Sequence, residues 1–162
     1  MDSSSKMVYF KNDTSCFNLR SACVCKKDEK ILLFNFEEEG FWTLPGGRCN
    51  MHETSSDAAI REFQEEIGEI VTTTRLLWVI ENFFEFKSRS FHELLFVYLV
   101  ELPKDSKIIN QDEFFAHEGD RKMLCRFIHP KDFKNYKILP YIFPEILSDI
   151  PKTTQHIIHR DK

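Results

Sequence analysis

Apolar residues recur along this chain with two periods, about 2 and about 3.6, and the switches between them divide it into strands and one well-marked helix. Phe17 to Lys26 and Lys30 to Phe36 read as strands joined by a tight turn at Lys27-Asp28-Glu29. Phe41 to Leu44 is a short strand that feeds a glycine-containing loop. Arg75 to Phe86 and Phe91 to Glu101 form a long hairpin turned by Lys87-Ser88-Arg89-Ser90. After a polar loop, Met123 to His129 reads as another strand, Pro130 to Lys134 opens a helical turn, and Pro144 to Ile150 forms a final helix bounded by Pro151. Residues 1–12 read as a polar, partly disordered lead, and residues 13–162 as one α/β domain.

The helix is marked at both ends. Thr54 and Asp57 form a capping signal, and Gly68 supplies the stop. Ala59, Ile60, Phe63 and Ile67 make an apolar stripe that faces a core. Glu62, Glu65 and Glu66 stand at i, i+3 and i+4 and share another face. Like charges so placed repel by roughly 0.2–0.5 kcal/mol per pair and oppose the helix dipole near the C-terminal end. A solvated acidic face tolerates this; a face that binds hard cations such as Mg²⁺ or Mn²⁺ gains from it. Gly46 and Gly47 upstream, Glu53 before the cap and Arg61 beside the cluster favour the cation reading.

Gly47, five residues, Glu53, seven residues, then Arg61-Glu62-Phe63-Gln64-Glu65-Glu66-Ile67-Gly68 resembles the Nudix box, with Leu44-Pro45-Gly46-Gly47 as its usual lead-in. One departure is Glu69, where the box has an apolar residue. The resemblance implies a Nudix-type α/β/α sandwich with a mixed β-sheet. It also implies Mg²⁺-dependent hydrolysis (Mn²⁺ as a substitute) of a pyrophosphate bond in a nucleoside diphosphate linked to another group. On this reading Glu62, Glu65 and Glu66 hold metal, Glu62 also takes the proton of the attacking water, and the Gly46 carbonyl is a further ligand. Arg61 and Glu53 pair and orient the loop. Relatives in the MutT branch often add a carboxylate from a later loop; Glu118 is the candidate here and Glu113 the competitor.

Composition narrows the partners. The net charge of -4 offers no basic surface for duplex nucleic acid. No apolar run approaches the roughly 20 residues of a membrane helix, and no signal peptide is evident, so a cytoplasmic protein, monomer or homodimer, is expected. Sixteen phenylalanines suggest an aromatic core. The five cysteines lack a metal-type spacing and read as free, mostly buried thiols, with Cys49 in the glycine loop as an exposed exception. His156 and His159 have helix-compatible spacing but no partner ligands, and are set aside.

Substrate markers are sparse. Nudix members acting on ADP-ribose or dinucleoside polyphosphates tend to carry proline or tyrosine just after the box; Thr72 to Lys87 has neither, so what the resemblance implies is a MutT-like (deoxy)nucleoside triphosphate. A nucleotide sugar, an RNA 5′ end or a non-catalytic nucleotide sensor are the alternatives. Gly47, Asn82, Phe83, Phe84 and Tyr141 are the candidate pocket contacts.

Overall fold

The computed structural model describes residues 6–162. Ten strands and two α-helices follow one another: β1 (Tyr9–Lys11), β2 (Ser15–Lys27), β3 (Lys30–Phe36), β4 (Trp42–Thr43), β5 (Gly46–Arg48), α1 (Ser55–Ile67), β6 (Thr72–Phe86), β7 (Arg89–Glu101), β8 (Glu113–Glu118), β9 (Arg121–Ile128), α2 (Phe143–Ile146) and β10 (Gln155–Arg160), with a 3-10 helix over Pro130–Asn135.

β2 organises the sheet because it is long enough to serve both halves. Ser15 to Cys25 pair in parallel with β7, while Lys26 and Lys27 begin the antiparallel pairing with β3. The main path runs β10-β6-β7-β2-β3-β9-β8, with β1 and β5 added along β2 and β4 along β3. Parallel β2–β7 and β6–β10 pairs among antiparallel ones make the sheet mixed, as expected. The β6–β7 hairpin closes more tightly than its sequence suggests. Lys87 and Ser88 both take left-handed backbone angles, φ 48° and 62°, the two-residue turn that matches strand twist.

Alternation along β2 sends side chains to two cores. Cys23 and Cys25 join Leu32, Phe34, Phe63, Ile67, Met123 and Phe127 beneath α1. Ala22 and Val24 join Leu33, Ile80, Leu95, Phe133, Phe143 and Leu147 beneath the 3-10 helix and α2. Full burial of one such side chain contributes roughly 1.5–3 kcal/mol. Helices on both faces give the α/β/α layering.

Several expectations are corrected. Within the lead expected to be partly disordered, Tyr9–Lys11 form a strand: Tyr9, Phe10 and Lys11 pair with Asn18, Phe17 and Cys16. The part of that lead over residues 1–5 lies outside the described residues. Glu113–Glu118, read as loop because of its polarity, is an edge strand whose outer face is solvated. The final helix is only Phe143–Ile146, and the chain beyond Pro151 turns into β10. His156 and His159 thus lie on a strand, where they meet Glu81 and Asn82.

The departure at Glu69 has a structural reason. Its Oε1 accepts the N–H groups of Lys107 (2.7 Å) and Ile108 (3.2 Å), fastening the loop between β7 and β8 to the end of α1. Glu69→Ala should lower stability by roughly 1 kcal/mol, since the Lys107 N–H loses its acceptor and the Ile108 N–H keeps only Ser106 Oγ. Chemical denaturation measures this, and an unchanged midpoint would contradict the role.

Candidate active site

The site is assembled where α1 crosses the β5 edge. Thr54 caps α1, its hydroxyl oxygen accepting the Asp57 N–H at 3.0 Å. Gly68 ends it with φ 88°, its N–H bonded to the Gln64 carbonyl. These ends fix the helix phase, and Glu62 and Glu66 consequently turn inward, only 8% and 4% exposed.

The two glycines are needed for different reasons. A Cβ on Gly46 would lie 2.3 Å from the Ser21 carbonyl oxygen, so β5 could not approach β2. A Cβ on Gly47 would lie 2.3 Å from the Glu62 carboxylate. Gly46 also donates its N–H to Glu66 Oε2 at 2.9 Å. Gly47 therefore makes room for the Glu62 carboxylate, while Gly46 lets β5 close on β2 and offers its N–H to Glu66.

Arg61 ties the parts together. It donates to Glu53 Oε1 and Oε2 (2.7 and 2.9 Å), Glu62 Oε1 (2.8 Å), Glu65 Oε2 (3.3 Å) and the Arg48 carbonyl (3.0 Å). Glu53 in turn accepts the Asn50 N–H at 2.8 Å. The expected Arg61–Glu53 pair is present. Its hydrogen bonds, chiefly those from Arg61, hold the Glu53 carboxyl below its ordinary range. Burial raises Glu62, against the pull of Arg61. Burial raises Glu66 well above its ordinary value; the Gly46 N–H opposes this, and Glu62 and Glu118 add to it.

Such a set fits a hard divalent ion: oxygen donors only, desolvated and mutually repelling. Among the described residues the carboxylates do not already form a three-ligand cluster. Instead Glu62 and Glu65 are turned to Arg61, and Glu66 to the Gly46 N–H.

Other expected residues divide. Glu118, at the end of β8, is near enough to act on Glu66 and has Arg121 at 3.8 Å. Glu113 is occupied by an ion pair with Arg126. Tyr141 is 57% exposed, just after the cis Leu139–Pro140 bond, and Phe84 stacks on Phe91 at 4.9 Å. Phe83 stacks on His92 at 4.4 Å, with Arg160 over it at 4.1 Å. Asn82 is buried with both amide atoms engaged, donating to Glu93 Oε1 (3.3 Å) and meeting His159 Nδ1 (2.9 Å). These contacts hold the Asn82 amide between β7 and β10. Cys49 is fully buried, and its thiol is pushed up to about 11 by burial, so the exposed, modifiable thiol expected there is absent. The described cysteines are all free and buried.

Sequence reasoning missed a polar row on the α2 side of the sheet. Asn18, Glu93, Asn82 and His159 are register neighbours on β2, β7, β6 and β10, flanked by Arg20 and Arg48. The signal was there: polar Asn18 and Arg20 at alternate positions of an otherwise apolar strand.

A family model described as "NUDIX domain" matches residues 18–142. The chain belongs to the Nudix hydrolase family. Diphosphoinositol polyphosphate phosphohydrolase 3-beta of Homo sapiens is 34% identical over 118 residues, 69% of this chain and 72% of that protein. The uncharacterized Nudix hydrolase YvcI of Bacillus subtilis is 37% identical over 54 residues; that match spans only 33% of this chain and 34% of YvcI. The crystal structure of an ADP-ribose pyrophosphatase from Streptococcus suis superposes with a TM-score of 0.61 at 16% identity, covering 87% of this chain and 98% of that one, a likeness of fold. This Nudix chain has, among its described residues, no helix long and apolar enough to cross a membrane.

Two outcomes are expected. A glutamate with a raised folded pKa binds more protons folded than unfolded, so stability falls as pH rises from the unfolded value, about 4.3, through the folded one. Glu66→Gln should remove that loss, raising the melting temperature at pH 7 in chelator but not at pH 4; equal shifts at both pH values would contradict the assignment. Gly47→Ala should displace the Glu62 carboxylate, and metal titration by calorimetry should show weakened binding in a protein of native circular dichroism.

Proposed function

We propose that the chain hydrolyses a phosphoanhydride bond with Mg²⁺, or Mn²⁺ in its place, held by Glu62, Glu65 and Glu66. The burial of Glu62 and Glu66 against Gly46 and Gly47 carries this reading, because two desolvated carboxylates side by side are stabilised most by a divalent cation. Glu118 and the Gly46 carbonyl are the further donors. When bound, the metal would neutralise phosphate oxygens and lower the pKa of a water. Glu62 would accept the proton of the attacking water. Arg61 keeps Glu62 and Glu53 in register with the glycine loop and does not itself touch substrate.

For the substrate we propose a small molecule with a linear run of phosphates, a (deoxy)nucleoside triphosphate giving the monophosphate and pyrophosphate. A second reading is supported by the 34% identity to a diphosphoinositol polyphosphate phosphohydrolase: a polyphosphorylated compound without a base.

Phosphate and pyrophosphate release from a panel with Mg²⁺ tests this. The panel holds nucleoside triphosphates, nucleotide sugars, ADP-ribose and a diphosphoinositol polyphosphate, with Glu66→Gln run beside the wild type. Metal-dependent release that falls at least about 100-fold in Glu66→Gln is expected; undiminished turnover in that variant would overturn the assignment of the carboxylates.

A further inference from the structure

Arg20 on β2 and Arg48 on β5 are direct cross-strand partners. Side chains so placed start about 4.5–5.5 Å apart on one face of the sheet, where like charges destabilise the pairing. The surroundings relieve only half of that charge. Arg20 Nη1 has the buried Glu93 carboxylate at 3.7 Å. Arg48 has no carboxylate at ion-pair distance among the described residues. Its Nε donates instead to the neutral Asn18 Oδ1 at 2.9 Å, and the Tyr9 ring lies over its guanidinium at 4.8 Å.

Both arginines are held in place. Asn18, Glu93 and Asn82 are all buried, and the chain of contacts from His159 through Asn82 to Glu93 ends on Arg20. On the other side, Arg61 fixes the Arg48 carbonyl, so the same guanidinium that orders the carboxylates also orders this residue. Arg48 directly follows Gly47, and the positive field of Arg20 reaches Glu62 and Glu66. Two adjacent guanidinium groups, of which only Arg20 has a carboxylate near it, on a rigid backing beside the glycine loop, suit forked recognition of a phosphate.

We infer that Arg20 and Arg48 form a seat for a substrate phosphate other than the two joined by the cleaved bond. This rests on the hydrolase reading above and narrows it. Substrates with a phosphate beyond the scissile diphosphate gain from the seat; a diphosphate flanked by two sugars does not. The repulsion between the arginines in the free protein is the cost, offset when the anion arrives.

Calorimetric titration of the full chain with inorganic pyrophosphate in chelator, at fixed ionic strength, tests the seat apart from catalysis. The wild type should bind saturably, and Arg48→Gln and Arg20→Gln should bind at least about tenfold more weakly, as expected for loss of one charged hydrogen bond. Arg48→Lys, which keeps the charge and loses the fork, should fall between. Arg48→Gln also loses the donor to the buried Asn18 Oδ1, so its binding is measured below its own melting temperature, on protein of native circular dichroism. With Mg²⁺, its KM should rise about tenfold for a nucleoside triphosphate and stay unchanged for ADP-ribose. Equal pyrophosphate affinity in Arg48→Gln and wild type overturns the seat and leaves the hydrolase standing. Arg48-dependent binding without turnover of any substrate supports the seat and overturns the hydrolase reading.

Discussion

One guanidinium, that of Arg61, sets the geometry on which the rest of the site depends. It is bonded at once to the loop (Glu53 and the Arg48 carbonyl) and to the helix (Glu62 and Glu65). Without it, the strand-to-helix connection would have no charged link to the carboxylates it must face. Its hydrogen bonds to Glu53 and Glu62 outweigh burial and stabilise its charged form, so this link persists across the ordinary pH range. The glycine pair supplies the complementary condition. Where Arg61 pulls the loop against the helix, Gly46 and Gly47 leave space for the contact to close.

A similar division runs through the sheet. β2 is the common member of both halves, with one face in the α1 core and the other in the α2 core. Its polar stretch, Asn18 to Ser21, falls beside β5, so the strand that builds the cores also delivers charge to the glycine loop. The segment leading into β1 reinforces this junction from outside: the Val8 N–H bonds to the Cys49 carbonyl and the Met51 N–H to the Lys6 carbonyl.

What could be read in the sequence was whatever local rules dictate. The bounds of α1 came from Thr54 and Gly68, the hairpin from alternation in β6 and β7, and the carboxylate face from helical spacing at Glu62, Glu65 and Glu66. What escaped notice depends on long-range pairing. β8 and β10 are edge strands with solvated faces, and their polarity resembles that of loops. The partners of Asn82 were invisible because they come from β7 and β10, which lie beside it only in the folded sheet. Arg20 and Arg48 are separated by a turn, two strands and the glycine loop, so only register could place them together. Glu69 looked like a flaw in the motif and is instead the anchor of a distant loop.

β10 deserves its own consequence in practical terms. It is a parallel edge strand that covers Trp78 to Phe83 of β6, the stretch containing Ile80 and Asn82. Its own side chains are mixed, His156, His159 and Arg160 beside an exposed Ile158, whereas the edge it hides is largely apolar. An expression design that trims the chain before Gln155, or fuses a bulky partner directly after Arg160, would uncover that inner edge. The product would be prone to strand-to-strand association, with the polar row behind Arg20 loosened from its far end.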